Sequence, residues 1–368
     1  MRFSCERDSI LKEISIAQEI ISSRNALSIL SNVLLEAEGD ILLIRATDLK
    51  VSFETRIPVE VHEAGKTTTF CEKLSGILKT LPSGEIEFSE QEGERFIIAP
   101  RFKKIDFRLK TMAADKYPEV QRADEDAFFE VPQKEFNQMI SQTIFAVSDD
   151  ETRYFMNGVY LENSEGNLLM VATDGKRLAY IRKDTGTELP DFSPVIIPPK
   201  ILSLVKKLSS GEGMLSMALT EKHVFMEFDN QKISSALIEG TFPNYQRVIP
   251  ENQEHSLTVN RNELNEALRR VSLMVERSRR VYVELSENLM VLRSDESDLG
   301  TAREEIPCDF SGPETVIALN FTYLSDPLRV ISAEEILVQF TETTRAISIN
   351  AVPEEDYFHI VMPMNLNE

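Results

Sequence analysis

The chain has 368 residues, of which 42% are hydrophobic and 27% are charged, and its formal net charge at pH 7 is −21. This composition is typical of a soluble globular protein, and it excludes a membrane-spanning helix because no apolar run approaches the roughly 20 residues that such a helix needs. The N-terminal sequence lacks the apolar core of a signal peptide, and the three cysteines have no metal-ligand spacing. We therefore expect a cytoplasmic protein with free thiols.

One order of predicted elements recurs three times along the chain. Each third begins with an amphipathic helix, which is followed by a strand and then by a hairpin. The helices are predicted at 9–21, 133–147 and 260–275, the strands at 31–39, 156–166 and 279–288, and the hairpins at 41–57, 168–182 and 289–306. Each hairpin turns at a Thr-Asp or Ser-Asp pair, and the turn aspartates Asp48, Asp174 and Asp295 lie 126 and 121 residues apart. A period near one third of the chain indicates three similar domains in tandem.

The remainder of each third continues the same plan. A strand with a second helix is predicted at 67–82, 194–210 and 315–331, and two alternating strands and a closing segment follow, the closing segments at 107–121, 234–249 and 357–364. This order favours an α+β fold in which each domain places two helices against antiparallel β-sheets. Polar, turn-rich segments predict domains at 1–123, 124–250 and 251–368.

No catalytic constellation accompanies these elements. The sequence has no Gly-rich phosphate loop, no nucleophile elbow and no histidine pair at metal-binding spacing, and its four histidines are isolated. The turn aspartates recur at the same place in successive domains, so we interpret them as turn formers whose side chains accept backbone hydrogen bonds. We expect no catalytic residue, no metal site and no cofactor.

The negative charge is unevenly distributed. Counting Lys and Arg against Asp and Glu gives net charges of −2, −7 and −12 for residues 1–123, 124–250 and 251–368. Basic residues nevertheless return on the predicted helix pairs, at Lys12, Arg24, Lys73, Lys79, Lys134, Lys200, Lys206, Lys207, Arg261, Arg269 and Arg270. Such a surface contacts phosphates without sequence preference, although an ordinary solvated helix face is an open alternative for these residues alone.

Several long segments carry a resemblance to a known family. They are TRYFMNGVYLE at 152–162, LLMVATDGKRLAYIR at 168–182, GTFPNYQRVIP at 240–250 and IVMPMNL at 360–366. With the opening RFSCERDSILKEI and the later AADKYPEV, they resemble the sliding clamp of bacterial replication, the β subunit of DNA polymerase III, over essentially the whole chain. The resemblance implies a head-to-tail homodimer, which is a ring of six domains around duplex DNA with helices lining the hole. Such a ring tethers its polymerase to the template and performs no chemical step itself.

The resemblance also implies a peptide-binding pocket between the second and third domains. Its methionines and branched side chains suit an adaptable groove for Leu or Phe anchors, and two of its residues, Arg177 and Arg247, are expected to orient polar groups of the peptide. The implied pocket residues are Met156, Thr173, Gly175, Lys176, Arg177, Leu178, Pro243, Arg247, Val248, Ile360, Val361, Met362, Pro363 and Met364.

Two further surfaces follow from the same resemblance. The residues expected to face DNA are Arg24, Lys73, Lys79, Tyr154 and Lys200. In the dimer, Phe107 and Leu109 of one protomer are expected to meet Leu273 and Met274 of the other. The implied partners are double-stranded DNA, an ATP-driven clamp loader, the α subunit of the replicative polymerase, and other polymerases or repair proteins that carry clamp-binding peptides.

Two other hypotheses are compatible with parts of this pattern. A repeat scaffold that binds only proteins would have the same triple repeat, with its basic helix faces as ordinary surface. An enzyme with an unrecognised site between domains is the third hypothesis. A clamp that encircles DNA should be retained on circular DNA, whereas neither the protein-binding scaffold nor the enzyme should be.

Overall fold

A computed structural model of the chain describes residues 1–21, 29–91, 95–275, 278–298 and 300–366. They form two compact units. Unit 1 comprises Met1–Gln133 and Glu212–Leu237, and unit 2 comprises Lys134–Gly211 and Ile238–Glu368. The strands of both units form antiparallel sheets.

The helices lie where apolar spacing predicts them. In chain order they are α1 (Arg7–Ile20), α2 (Cys71–Thr80), α3 (Gln133–Thr143), α4 (Pro199–Leu208), α5 (Arg261–Val271) and α6 (Phe321–Leu328). Their ends have local causes. Pro199 begins α4 because its fixed φ suits the first helical position, and the side chain of Asn260 caps α5 by accepting hydrogen bonds from the amides of Asn262 and Glu263.

Unit 1 contains a 13-stranded sheet. Its strands are β1 (Arg2–Glu6), β2 (Asn32–Glu38), β3 (Ile41–Thr47), β4 (Val51–Pro58), β5 (Glu60–Glu63), β6 (Gly65–Phe70), β7 (Glu85–Gln91), β8 (Arg95–Pro100), β9 (Phe107–Met112), β10 (Phe129–Pro132), β15 (Met214–Leu219), β16 (His223–Phe228) and β17 (Gln231–Ala236). The strand order is β10-β15-β16-β17-β4-β3-β2-β6-β9-β8-β7-β1-β5. Helix α1 packs on α2 and on strands β3 and β4.

Unit 2 contains an eight-stranded and a four-stranded sheet. Their strands are β11 (Val159–Ser164), β12 (Asn167–Thr173), β13 (Arg177–Lys183), β14 (Val195–Ile197), β18 (His255–Asn260), β19 (Arg280–Ser286), β20 (Leu289–Arg293), β21 (Arg303–Pro307), β22 (Thr315–Asn320), β23 (Glu335–Phe340), β24 (Ile347–Val352) and β25 (Tyr357–Val361). The orders are β14-β11-β12-β13-β25-β24-β23-β18 and β21-β20-β19-β22.

The cores form from the alternation of apolar and polar residues along these strands. In unit 1 the rings of Phe3, Phe88 and Phe96 stack in succession, with centroid distances of 4.8 and 5.7 Å, and all three side chains are buried. Offset aromatic stacking of this kind adds to the burial of apolar area. The three cysteines are free and buried, and burial raises the pKa of Cys5 and Cys71 to about 12, so neither thiol is ionised near neutral pH.

The hydrogen bonds of Asp48 and Asp174 confirm that these aspartates are turn formers. The carboxylate of Asp48 accepts hydrogen bonds from the amides of Lys50 and Val51, and Asp174 does the same for Lys176 and Arg177, at 2.7 to 3.0 Å. The third turn is closed differently, because Ser294 exchanges hydrogen bonds with the backbone of Ala302 across a longer loop.

The repeats are joined by strand pairing. The second hairpin strand of the first copy, β4, pairs with β17, and its equivalent β13 pairs with β25. In the third copy, the equivalent strand β21 pairs within the described residues with β20 alone and ends its sheet. Strand β9, which corresponds in chain order to β17 and β25, pairs with β8 along Phe107–Lys110 but with β6 only through Thr111 and Met112.

Four of the described strands were not predicted from the sequence. Strands β1, β10 and β18 each precede the first helix of a third, where the prediction begins with the helix itself, and β5 lies between the first predicted hairpin and the strand that follows it. They have only four to six residues each, which is too short for alternation alone to identify them.

Candidate functional site

The strongest candidate site lies where β13 meets β25 in unit 2. Leu178 is opposite Ile360 and Arg177 is opposite Val361 in this antiparallel pair. Beyond the strand, the amide of Met362 donates to the carbonyl of Lys176 at 2.8 Å. Two segments that are far apart in the sequence, the second aspartate turn and the C-terminal run, are thus brought together.

A short turn of 3₁₀-helix, Tyr245–Val248, supplies another side of this region. Phe242 and Tyr245 belong to the same buried cluster as Leu178 and Ile360. At the surface, Val248 is 47% exposed and Met362 is 38% exposed. Two apolar side chains accessible beside a buried apolar floor are suited to contacting an apolar side chain of a partner.

The aspartate turn itself is constrained on its outer side. Gly175 has a φ of +86°, and a Cβ at this position would lie 2.9 Å from Nη1 of Arg153. Arg153 belongs to the 3₁₀ segment Glu151–Met156, which also contains the predicted pocket residue Met156, a buried side chain. Asp150 caps this segment by accepting from the amide of Thr152. Hydrogen bonds from the Thr152 hydroxyl, from Arg153 and from this amide lower the pKa of Asp150 to about 2.

Arg177 has an environment different from that of Arg247. Its side chain is 10% exposed, and it donates to the carboxylate of Asp174 at 3.1 Å, to Asp326 on α6 at 2.6 Å, and to the carbonyl of Phe145. The guanidinium also lies over the ring of Tyr323, 4.6 Å from the centroid. Arg247 is exposed. The two arginines therefore have different surroundings although the sequence assigns them one role.

The remaining pocket residues continue the C-terminal run. The amide of Met364 donates to the carbonyl of Ala318 on β22 at 2.8 Å, which attaches the run to the third repeat. Thr173 is buried and donates from its hydroxyl to the carbonyl of Arg177 at 2.6 Å. Pro243 and Pro363 are half-buried, and the side chain of Lys176 is exposed.

The residues predicted to face DNA are exposed wherever they are described. Lys73 and Lys79 project from α2, whose opposite side buries Leu74 and Leu78. Lys200 lies exposed in the first turn of α4, and Tyr154 is exposed in the segment before β11. Arg24 lies outside the described residues.

The residues predicted for the dimer interface are also accessible. Phe107 and Leu109 are half-buried on β9 in unit 1. In unit 2, Leu273 is 80% exposed in the 3₁₀ turn that follows α5, and Met274 is half-buried beside it.

The described residues lack the features of two other classes of protein. Among the described residues there is no group of three or more His, Cys, Asp or Glu side chains that could hold a metal ion. No helix in the described ranges is long and apolar enough to cross a membrane.

Tandem α+β repeats joined by strand pairing are the architecture of DNA sliding clamps. Family models of the DNA polymerase III beta subunit match the chain along its length: the N-terminal domain at 1–121, the central domain at 130–244 and the C-terminal domain at 246–365. The chain belongs to the DNA polymerase III beta subunit family.

Individual relatives agree over complete lengths. The beta sliding clamp of Treponema pallidum is 47% identical over 369 residues, which cover 99% of each chain. The solved clamp from Pseudomonas aeruginosa bound to griselimycin has a TM-score of 0.93 at 29% identity, and that from Borrelia burgdorferi in complex with a natural product has 0.93 at 27%; both alignments cover 100% of both chains.

These comparisons confirm the resemblance and the predicted α+β fold of three tandem clamp domains. They also confirm the expectation of a non-catalytic protein, because the relatives are named beta sliding clamps and the family is the beta subunit of DNA polymerase III. The sequence did not predict the contacts of Arg177, because its partner Asp326 is 149 residues away along the chain.

Proposed function

We propose that this protein is a processivity factor of bacterial DNA replication: a head-to-tail homodimeric ring that encircles duplex DNA and slides along it. Partner polymerases bind to it through a peptide-binding pocket and so remain on the template. In this proposal the domains are 1–123, 124–250 and 251–368, and a clamp loader opens the ring to place it on DNA.

The observation that carries the proposal is a pair of strands that lack the pairing found at the internal junctions. The hairpin strands β4 and β13 each pair with the last strand of the next repeat, β17 or β25. Within the described residues, β21 ends its sheet and pairs with β20 alone, and Phe107–Lys110 of β9 pair with β8 alone although β9 lies inside its sheet. Exposed sheet edges are templates for pairing with another chain. Pairing β21 of one protomer with β9 of the next repeats the internal junction between chains.

The side chains of these two strands support this pairing. Strand β21 is net negative, with Arg303, Glu304 and Glu305, whereas β9 is net positive, with Arg108 and Lys110. Within the chain, Glu304 pairs with Arg270, Glu305 with Arg303 and Arg108 with Asp106. Charges of opposite sign favour the antiparallel register and disfavour like-with-like pairing. Phe107 and Leu109 on β9 and Leu273 and Met274 after α5 then provide the apolar contact of a heterologous interface.

Contact with DNA is proposed to be electrostatic and independent of sequence. Exposed Lys73, Lys79 and Lys200 offer ammonium groups to phosphates, with Tyr154 and Arg24 assigned to the same surface. Single ammonium groups neutralise phosphates without reading bases, which suits a protein that must move along its substrate. The acidic remainder of the surface disfavours nonspecific binding elsewhere.

The pocket is proposed to be the set of residues named for it above, around the junction of β13 and β25. Accessible Val248 and Met362 beside the buried side chains of Leu178 and Ile360 suit a Leu or Phe anchor of a polymerase, a repair protein or the α subunit. Deleting residues 362–368 is expected to abolish binding of a polymerase-derived peptide without dissociating the dimer.

Topological retention tests encirclement. The protein is loaded by a clamp loader onto a nicked circular plasmid, which is then cut once, and bound protein is separated by gel filtration. We expect retention on the circle and loss after cutting, with retention restored when both ends are blocked by biotin-bound streptavidin. Equal retention on the circle and on the linear plasmid with free ends would refute encirclement.

The interface is tested by solution mass. The 41.8 kDa chain is expected to sediment at about twice that mass. Leu273→Lys should yield the single chain because it buries an unpaired charge, whereas Ile41→Lys, at an exposed position on β3, should leave the dimer intact. A Leu273→Lys variant that stays dimeric would place the interface elsewhere.

A further inference from the structure

Strand alternation divides the predicted pocket between two faces of the sheet. Successive side chains of a strand point to opposite faces, and residues opposite each other in an antiparallel pair share a face. Leu178 and Ile360 therefore share one face, where both contact the cluster that contains Phe242 and Tyr245. Arg177 and its opposite residue Val361 lie on the other face.

The contacts of Arg177 agree with this division. All three guanidinium nitrogens donate to groups of the protein: Nε to Asp174, Nη1 to Asp326 and Nη2 to the carbonyl of Phe145. These acceptors lie on the aspartate turn, on α6 and on the short 3₁₀ segment Ile144–Ala146 that follows α3. A planar guanidinium with this many fixed acceptors is a rigid connection among three elements.

The backbone of the same residue forms the edge of the pocket. The carbonyl of Arg177 accepts the hydroxyl of Thr173 at 2.6 Å, and the preceding carbonyl, of Lys176, accepts the amide of Met362 at 2.8 Å. The position of Met362, whose exposed side chain borders the pocket, therefore depends on where this turn is held.

We propose that Arg177 is a positioning residue of the partner-binding pocket: it fastens the aspartate turn to α6 through Asp326 and thereby holds Met362 in place, and it does not contact the bound peptide. This inference rests on the proposed pocket. It assigns peptide orientation to the exposed Arg247 and adds Asp326, a residue outside the pocket, to those that determine partner affinity.

Matched variants distinguish a positioning role of Arg177 from a direct contact between Arg177 and the bound peptide. Arg177→Gln, Asp326→Asn and the double variant are compared with wild type and with Arg329→Gln. Arg329 is an exposed neighbour that also pairs with Asp326, at 3.5 Å, so its replacement removes an ion pair of Asp326 without touching Arg177. The probe is a fluorescein-labelled peptide carrying the Leu-Phe anchor segment of a replicative polymerase α subunit, and its dissociation constant is measured by anisotropy at 25 °C.

We expect each single variant to weaken peptide binding by about tenfold, the double variant to be no more than about twofold weaker than either, and Arg329→Gln to stay within about twofold of wild type. A direct contact predicts a different result: Arg177→Gln would weaken binding, Asp326→Asn would leave it unchanged or tighter, and the losses would add. A lower melting temperature in both variants with unchanged peptide affinity would also overturn the proposal, because a merely stabilising ion pair has that effect.

Hydrogen exchange of the Met362 amide provides a reading that does not depend on the peptide. We expect faster exchange of this amide in Arg177→Gln and Asp326→Asn, and unchanged exchange in Arg329→Gln. Unchanged exchange in all variants would overturn the positioning role. A wild-type protein that binds no peptide but shows the expected exchange pattern would instead refute the proposed pocket and leave the connection to α6 supported.

Discussion

Acidification from pH 7 to pH 5 is expected to destabilise this protein through one histidine. His359 lies on β25, fully buried, and its ring is 5.5 Å from that of Phe145. Burial lowers the pKa of His359 to about 3 from 6.5, and the positive charge of Arg177 acts in the same direction against a smaller opposing effect of the Tyr323 backbone. The folded protein therefore keeps this side chain neutral at pH values where the unfolded chain protonates it.

The difference between the folded and unfolded pKa of His359 determines the sign and the size of the change in stability. Because the folded pKa is depressed, the contribution to stability is complete above pH 6.5 and is lost progressively as the pH falls towards 3. At pH 5 the unfolded chain has gained about 2 kcal/mol from protonating His359, whereas the folded state has gained almost nothing. The free energy of unfolding should therefore fall by about 2 kcal/mol from this group alone.

Urea denaturation at pH 7 and pH 5 measures the effect when wild type is compared with His359→Leu. Neither ring nitrogen of His359 has a hydrogen bond of normal geometry among the described residues, so leucine loses at most the weak interaction with the Tyr323 backbone. Wild type should lose about 2 kcal/mol more than the variant between the two pH values. Equal losses in wild type and His359→Leu would refute the reasoning.

Two further predictions concern stability and are measured by chemical denaturation. Leu49 and Gly175 occupy the same place in the first two aspartate turns, with φ of +74° and +86°. Leu49→Gly should therefore raise the free energy of unfolding by up to about 1 kcal/mol, because glycine adopts this backbone conformation without strain. Gly175→Ala should lower the free energy of unfolding by about 1–2 kcal/mol, because alanine is strained there and its Cβ would contact Arg153. The opposite sign for either substitution would contradict the turn geometry. Phe88→Ala should lower the free energy of unfolding by about 3–5 kcal/mol, because it leaves a cavity in the aromatic stack. Ile41→Ala, at an exposed position, should lower it by less than about 1 kcal/mol. Similar losses for the two variants would contradict a core built on these stacked rings.

The sequence predicted the fold well where its signal was periodic. In the part of the chain that the structure describes, six helices of eight or more residues have apolar stripes, and the repeat of the aspartate turn aligned the three copies. The short strands β1, β10 and β18 went unnoticed because four to six residues carry too little alternation. The third aspartate turn also differs, since Ser294 rather than a repeat of the Asp48 pattern closes it to Ala302.

The candidate site was predictable as a set of segments but not as a geometry. The resemblance placed the second turn and the C-terminal run in one pocket, and the structure brings them into adjacent strands. It could not tell which face of the sheet each side chain occupies, because that depends on the register between β13 and β25. The partners of Arg177 depend on α6, whose position relative to β13 is a tertiary property of chain segments 149 residues apart.

The proposed pairing of β9 with β21 has a consequence for assembly. An interface between two different surfaces of the same chain can add further subunits indefinitely, as a one-dimensional polymer does, and in the proposed ring the rotation between successive subunits makes the second copy return to the first. Substitutions that alter this rotation without touching either edge are therefore expected to produce filaments instead of monomers.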